Sequence, residues 1–262
     1  MYKDLLQPLI DISREVGQFL KKERLTITAS EIEFKSSARD LVSRADKEAE
    51  QRFVAFLEKL LPEAGFIAEE DTRTHRGDRY NWVIDPLDGT TNYLHGIYAW
   101  CTSVALMDGD EIVLGVIYDP EHDELFSASK SGGAFLNGKS IFVTGQSKLT
   151  ESFMATGFPY DNRGKQKVYL DILGRVNTKT RGIRRLGSAA LDLAYVACGR
   201  FDGFYEYGLN PWDMAAGALL VIEAGGKITN FSGNDDYLFG PTMLCSNGIL
   251  QEEFLNLMEG WE

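Results

Sequence analysis

A mixed α and β architecture built in layers, α+β or α/β, is the fold class this sequence predicts, and three observations predict it. Segments with helical apolar spacing interleave along the whole chain with short β-branched and aromatic runs. The punctuation between them is that of tight hairpins and capped helices, and no internal repeat or low-complexity linker divides the chain. The chain has 262 residues, 44% hydrophobic and 25% charged. That suffices for a sizeable core in one large domain or two intimate ones, and lies outside the disordered, collagen-like and coiled-coil classes.

Taken in order, Leu5, Leu6, Leu9, Val16, Phe19 and Leu20 mark a first helix that closes on a charged run, Lys21 to Arg24. A second helix carries Ala45, Ala49, Phe53, Phe56, Leu57 and Leu60, and Pro62 stops it. Gly65 to Ala68 reads as a strand ending at Glu69-Glu70, and the polar stretch Asp71 to Arg79 as an exposed, mobile loop. Trp82 to Asp85 is a strand, with a turn expected at Pro86. Strands at Thr102 to Met107 and Glu111 to Tyr118 flank an Asp-Gly-Asp hairpin, and Leu125 to Ser129 and Ser140 to Thr144 add two more. The second half alternates: strand Phe153 to Gly157, helix Val168 to Leu173, strand Gly182 to Leu186, then a helix capped by Ser188. An aromatic strand, Phe201 to Tyr207, precedes a helix opened by Asn210 and Pro211 and ended by Gly225-Gly226. Strands Lys227 to Phe231 and Thr242 to Ser246 and a helix Ile249 to Met258 complete the reading.

Composition excludes several functions. Lys and Arg number 27 against 39 Asp and Glu, a net charge of −12. That argues against nucleic-acid and anionic-membrane partners, whose phosphates demand clustered cations. The scattered Cys101, Cys198 and Cys245 form neither a disulfide framework nor a zinc site. His75, His95 and His122 are equally dispersed. No signal peptide is readable at the N-terminus, and the longest apolar stretch, Met214 to Ile222, falls far short of a membrane span. The expectation is a soluble, cytoplasmic protein.

Gly133 to Ser140 matches the phosphate-loop pattern G-x-x-x-x-G-K-S. That motif requires a helix beginning at its lysine, whereas Lys139 is followed by Ser-Ile-Phe-Val-Thr. Asn137-Gly138 between apolar pairs is a type I′ hairpin signal, so the segment reads as a hairpin and not as a nucleotide site.

The chemistry concentrates in Asp85-Pro86-Leu87-Asp88-Gly89-Thr90-Thr91. A strand delivers Asp85 to its carboxyl end, Gly89 permits close backbone approach, and Thr90 and Thr91 offer hydroxyls and N–H groups at a helix start suited to phosphate. Taken alone, the run reads equally well as an Asp-rich turn with a helix cap. Two residues separate the aspartates, unlike the D-x-D of phosphatases that form an aspartyl-phosphate. Glu69-Glu70 and Asp213 add acidic stations, Asp213 with a helix-dipole reading of its own. Converging carboxylates repel by roughly 1–4 kcal/mol at about 4 Å. Oxygen-only ligands with water select Mg²⁺, Mn²⁺ or Ca²⁺, which would let an acidic protein bind phosphate.

Glu69-Glu70, Asp85 to Tyr93 and Asn210-Pro-Trp-Asp213-Met-Ala-Ala-Gly217, in this order, resemble the inositol monophosphatase family of magnesium-dependent, lithium-sensitive phosphatases. Lys35-Ser-Ser, Asp40 to Ser43, Asp46, the Gly133–Gly138 hairpin and Gly187-Ser-Ala-Ala190 support the likeness, which runs from about residue 5 to 258. The resemblance implies a layered αβαβα sandwich and a homodimer: one phosphatase domain over 1–262, with an N-terminal α+β half about 1–145 and a C-terminal α/β half about 146–262. It implies two or three Mg²⁺ ions, with Mn²⁺ as a substitute. Glu69, Asp85 and the Leu87 carbonyl would hold the first, and Asp85, Asp88 and Asp213 the second; a third would lie near Glu69. The catalytic set would be Thr90, Asp46 and Glu69, acting on a water in direct in-line attack. Gly89, Thr90 and Thr91 would bind phosphate, and Gly187, Ser188, Ala189 and Glu206 would line the hydroxyl side of a small phosphorylated substrate. Leu87, Ser43 and Ser188 depart from the commonest family residues while keeping the groups used, and Asn210-Pro211 alters the substrate rim. Glu70 reads as a neighbour of Glu69 and Lys35 as a loop ion-pair partner or a site residue.

The leading expectation is a phosphomonoesterase acting on a myo-inositol 1-phosphate-like substrate. Fructose 1,6-bisphosphate, NADP(H) and 3′-phosphoadenosine phosphate are alternatives within the class. A non-catalytic metal-binding regulatory relative is the alternative outside it.

Overall fold

The computed structural model describes residues 2–26, 32–34, 41–70, 75–158 and 164–261; of 32–34 and 41–43 only the backbone is described. Lys35, Asp40 and the side chain of Ser43 lie outside it.

The order of layers follows from which helices are apolar on one face and which all round. Helix α1 (Lys3–Glu23) buries Leu9, Ile12, Val16 and Leu20, and α2 (Arg44–Leu60) buries Ala45, Ala49, Phe53 and Leu57. Such single stripes suit an outer layer. Between α1 and α2 run the short paired strands β1 (Ile32–Phe34) and β2 (Leu41–Ser43), which the sequence pattern did not signal.

The stripes of α1 and α2 pack on a seven-stranded sheet ordered β3 to β9. Its strands are β3 (Gly65–Ala68), β4 (Tyr80–Asp88), β5 (Cys101–Asp108), β6 (Glu111–Asp119), β7 (Glu124–Ser129), β8 (Gly133–Leu136) and β9 (Lys139–Ser140). The β3–β4 pair is parallel and the others antiparallel. On its far face lie α5 (Ala189–Ala197) and α6 (Pro211–Glu223), buried almost all round as middle-layer helices must be. A five-stranded sheet, β11-β10-β12-β14-β13, covers them. Its strands are β10 (Phe153–Thr156), β11 (Gly182–Arg184), β12 (Gly203–Tyr207), β13 (Lys227–Thr229) and β14 (Thr242–Ser246). Helices α4 (Gln166–Lys179) and α7 (Gln251–Leu257) close the outside around Tyr169, Ile172 and Phe254. The result is an αβαβα sandwich.

Three local expectations need correction. Pro86 does not turn the chain. Strand β4 runs through it to Asp88, with a bulge between the Asp85–Ser103 and Asp88–Cys101 pairs, a place where a missing N–H is tolerated. Ser140 to Thr144 is a strand only at Ser140: Ile141 N–H still donates to the Ala134 carbonyl of β8 (3.0 Å), and the chain then leaves the first sheet, with Val143 N–H donating to the Ala224 carbonyl at the end of α6 (3.1 Å). Of the loop expected to be mobile, Asp71 to Thr74 lies outside the described residues and the remainder is tethered. The His75 carbonyl accepts Phe66 N–H (2.6 Å), Gly77 N–H donates to Asn81 Oδ1 (2.9 Å), and Arg79 pairs with Asp108 (2.5 and 2.8 Å). The phosphate-loop look-alike is the β8–β9 hairpin, with Asn137 and Gly138 both at positive φ (49° and 75°).

Candidate active site

The β4 bulge determines what its aspartates can do. In a regular strand, residues three apart face opposite sides of the sheet. The extra residue re-aims the end of the strand, and oxygens of Asp85 and Asp88 come within 4.8 Å of each other and of Asp213. Leu87 N–H donates to Asp85 Oδ1 (2.9 Å), fixing that carboxylate from within its own loop.

Asp88 is held by the start of α5. Its Oδ2 accepts the Ser188 hydroxyl (2.6 Å) and the Ala190 N–H (2.7 Å). Ser188 Oγ also accepts Leu191 N–H (3.4 Å), so Ser188 is the N-cap its position suggested and at the same time holds a carboxylate. Asp213, in the first turn of α6, accepts Asn210 N–H at Oδ2 (2.7 Å). The helix-start role and the ligand reading of Asp213 are thus compatible, since a carboxylate has two oxygens and one of them suffices for the Asn210 N–H.

Gly89 turns the chain out of β4 at φ +92°, and a Cβ there would stand 2.8 Å from the Ala99 carbonyl oxygen. This sets Thr90 at the start of the short helix α3 (Thr90–Leu94). Thr90 Oγ1 lies 3.0 Å from the Leu87 carbonyl oxygen and 3.1 Å from Oδ1 of Asp46, which α2 buries to 1% exposure. The Leu87 carbonyl, expected as a metal ligand, is thus also within reach of the Thr90 hydroxyl. Glu70 donates its backbone N–H to buried Glu50 (2.7 Å), which anchors the chain beside Glu69.

A cleft of about 310 Å³ carries Glu69, Asp88 and Asp213 on its wall together with Gly187, Ser188 and Ala189, while Thr91 is half-buried beside Thr90. Glu206 and two residues that sequence reasoning missed, Gly157 and Asp192, line the same cleft. Asp192 is fully buried, with neither carboxylate oxygen hydrogen-bonded among the described residues. Its place one turn into an apolar helix, Ala-Ala-Leu-Asp-Leu, was a signal available in the sequence.

Burial raises the proton affinity of Asp85, Asp88, Asp213 and Glu206. Burial pushes Asp85 well above the ordinary carboxylate range, and Glu69, Asp88 and Asp213 add to it. Asp213 rises through burial and then through Asp88 and Glu69. Burial lifts Asp88 as well, against the pull of Ser188 and Ala190. Glu206 is pushed up to about 8, chiefly by burial. Acceptor-only oxygens gathered this closely fit hard divalent cations that prefer oxygen, and no His or Cys joins the cluster.

Comparison with known proteins identifies the family. A sequence profile described as the inositol monophosphatase family matches residues 1–260. The chain is 40% identical to an inositol-1-monophosphatase of Mesorhizobium japonicum, over 97% of this chain and 96% of that one. It is also 40% identical to the Nus factor SuhB of Pseudomonas aeruginosa, over 92% of each. The crystal structure of the extragenic suppressor protein suhB from Bartonella henselae superposes with a TM-score of 0.92 at 38% identity, covering 98% of both chains.

Proposed function

Because the chain belongs to the inositol monophosphatase family and is a phosphoric monoester hydrolase, we propose that it hydrolyses a small polyhydroxylated monophosphate of the myo-inositol 1-phosphate kind with Mg²⁺ as cofactor. The observation that carries the reading is the convergence of Asp85, Asp88 and Asp213 within 4.8 Å. Glu69 and the Leu87 carbonyl complete the donor set for two or three ions, and Mn²⁺ would substitute. The bound ions supply charge neutralisation and a lowered water pKa, the ordinary contribution of a two-metal site to in-line displacement.

The chain's own groups do the positioning. The Thr90 hydroxyl, shared between Asp46 Oδ1 and the Leu87 carbonyl, orients the attacking water, and Asp46 behind it is placed to take up a proton. Backbone N–H groups of Gly89 and Thr90, with Thr91, meet the phosphate oxygens. Ser188 and Ala190 hold Asp88 so that it does not rearrange when charge develops. Gly187, Ala189 and Glu206 face the alcohol portion; Glu206 accepts hydrogen bonds from hydroxyls and, where ionised, repels phosphate. No covalent phosphoenzyme is expected.

We further place the protein in the cytoplasm as a homodimer, without nucleic-acid or membrane partners. The family resemblance and the net charge of −12 support this. In addition, no helix among the described residues is long and apolar enough to cross a membrane. The intact carboxylate set argues against the non-catalytic alternative.

Phosphate release should be measured from myo-inositol 1-phosphate, fructose 1,6-bisphosphate, NADP and 3′-phosphoadenosine phosphate, with Mg²⁺ and after chelation. The expected result is turnover that depends on Mg²⁺ and is fastest on the inositol ester. Turnover that survives chelation would overturn the metal assignment; a faster rate on another ester would overturn the substrate assignment.

A further inference from the structure

The Glu206 carboxylate lies where a side chain at residue 157 would have to be. Strands β10 and β12 run parallel with Thr156 beside Tyr205, so the next residues, Gly157 and Glu206, are neighbours at the cleft. A Cβ built on Gly157 would stand 2.0 Å from Glu206 Oε2 and 2.3 Å from both Cδ and Oε1. No hydrogen bond from the described residues holds that carboxylate. It rests on the bare backbone of Gly157.

The backbones on both sides of this contact are fastened by one buried pair of hydroxyls. Tyr169 of α4 donates to the Gly157 carbonyl (2.9 Å), and Thr156 donates to the carbonyl of Tyr205, the residue before Glu206 (2.9 Å). The two hydroxyl oxygens are 2.6 Å apart, and both side chains are buried. The distance between the two strand ends is therefore fixed, and the volume above Gly157 decides where the carboxylate can sit.

We propose that Gly157 is a specificity-determining position: the missing side chain at residue 157 seats the Glu206 carboxylate for substrate hydroxyls, with Tyr169 and Thr156 as positioning residues beneath it. The inference rests on the reading of Glu206 as the hydroxyl acceptor. Residue 157 does not occupy the left-handed region that would make alanine strained. The atoms a methyl group would meet are the far end of a flexible side chain, so the carboxylate yields and the fold does not. A substitution at 157 thus moves the acceptor without deleting it. It erodes discrimination for hydroxylated substrates, because a site built to bond a hydroxyl loses most when that bond is misaligned.

The test compares kcat/KM for the polyhydroxylated monophosphate turned over fastest with that for p-nitrophenyl phosphate, which has no such hydroxyls, in Gly157→Ala, Glu206→Ala and the double variant. The ratio should fall about tenfold in Gly157→Ala, as for loss of one hydrogen bond to a charged group, mostly through KM. In the Glu206→Ala background the second substitution should add nothing, since the two act through one carboxylate. If Glu206→Ala lowers the ratio and Gly157→Ala does not, the seat is wrong and the role of Glu206 stands. If Glu206→Ala leaves the ratio unchanged, the reading of Glu206 itself falls. Equal losses on both substrates that persist in the double variant would make Gly157 a backbone requirement and overturn the proposal. Tyr169→Phe, which keeps the ring and frees the Gly157 carbonyl, should lower the ratio in the same direction by a smaller factor. An unchanged ratio there would overturn the positioning role however Gly157→Ala folds.

Discussion

On the acidic side of the cleft, Asp85, Asp88 and Asp213 each accept a backbone N–H, from Leu87, Ala190 and Asn210 in turn. On the wall proposed to meet the alcohol, Glu206 leans on a glycine, and in the same cleft both oxygens of Asp192 are without a hydrogen bond among the described residues. Backbone donors move only if the fold moves, whereas a side-chain seat can be altered by one substitution. The contrast suggests that the hydrolytic chemistry is fixed by the architecture while the choice of alcohol is set by a few replaceable side chains.

The comparison breaks most visibly on its anchored side. Asp88→Asn or Asp213→Asn should lower kcat by about 10²-fold or more, the scale of losing an electrostatic stabiliser, with an unchanged circular dichroism spectrum. Near-normal turnover would remove these residues from the metal set. Ser188→Ala removes one of two anchors on Asp88 and should cost about tenfold on every substrate, in line with a hydrogen bond to a charged group; a loss confined to polyol esters would move Ser188 to the other side of the comparison. Glu206→Gln keeps the shape and replaces one acceptor oxygen with an amide donor. It should lower kcat/KM for the polyol ester by about threefold to tenfold and spare p-nitrophenyl phosphate.

A stability measurement sharpens the same contrast. These carboxyl groups have raised proton affinities in the folded chain, so the stability they contribute is full below their unfolded values near 4 and is lost as pH rises through the folded ones. With Glu206 at about 8 the loss extends into neutral pH. Chelated protein should therefore melt several degrees lower at about pH 8 than at about pH 5, and Mg²⁺ should recover more of the difference at the higher pH. A flat profile would mean that the carboxyl groups do not share one buried site. The smallest effect belongs to Lys139→Ala. This exposed β9 residue should change turnover by less than about twofold, as surface substitutions usually do.

The sequence was most legible where local chemistry decides structure. Asn137-Gly138 makes its hairpin, Ser188 caps α5, and Asn210-Pro211 opens α6. It was least legible where the tertiary environment overrides local preference. Ser140 to Thr144 has β-branched and aromatic residues but pairs with β8 only at its first residues, because it must carry the chain from one sheet to the other. Pro86 looks like a turn, yet the pairing of β4 with β5 accommodates it as a bulge. The acidic cluster could be anticipated from carboxylates at strand and helix ends. Gly157 could not, since its role depends on a neighbour 49 positions away across the β10–β12 pair.

The middle layer has a consequence for how the protein is made. Asp85 and Asp88 belong to the first sheet, whereas Asp213 arrives on α6, which is packed between the two sheets. During synthesis at about 5–20 residues per second, the strands of the first sheet are made on the order of ten seconds before that helix emerges. Until then the nascent chain carries Asp85 and Asp88 without their third carboxylate, and the apolar residues that α6 covers are without their partner. Divalent cations therefore have least to offer folding early, when the growing chain is most exposed, and most to offer once α6 is in place.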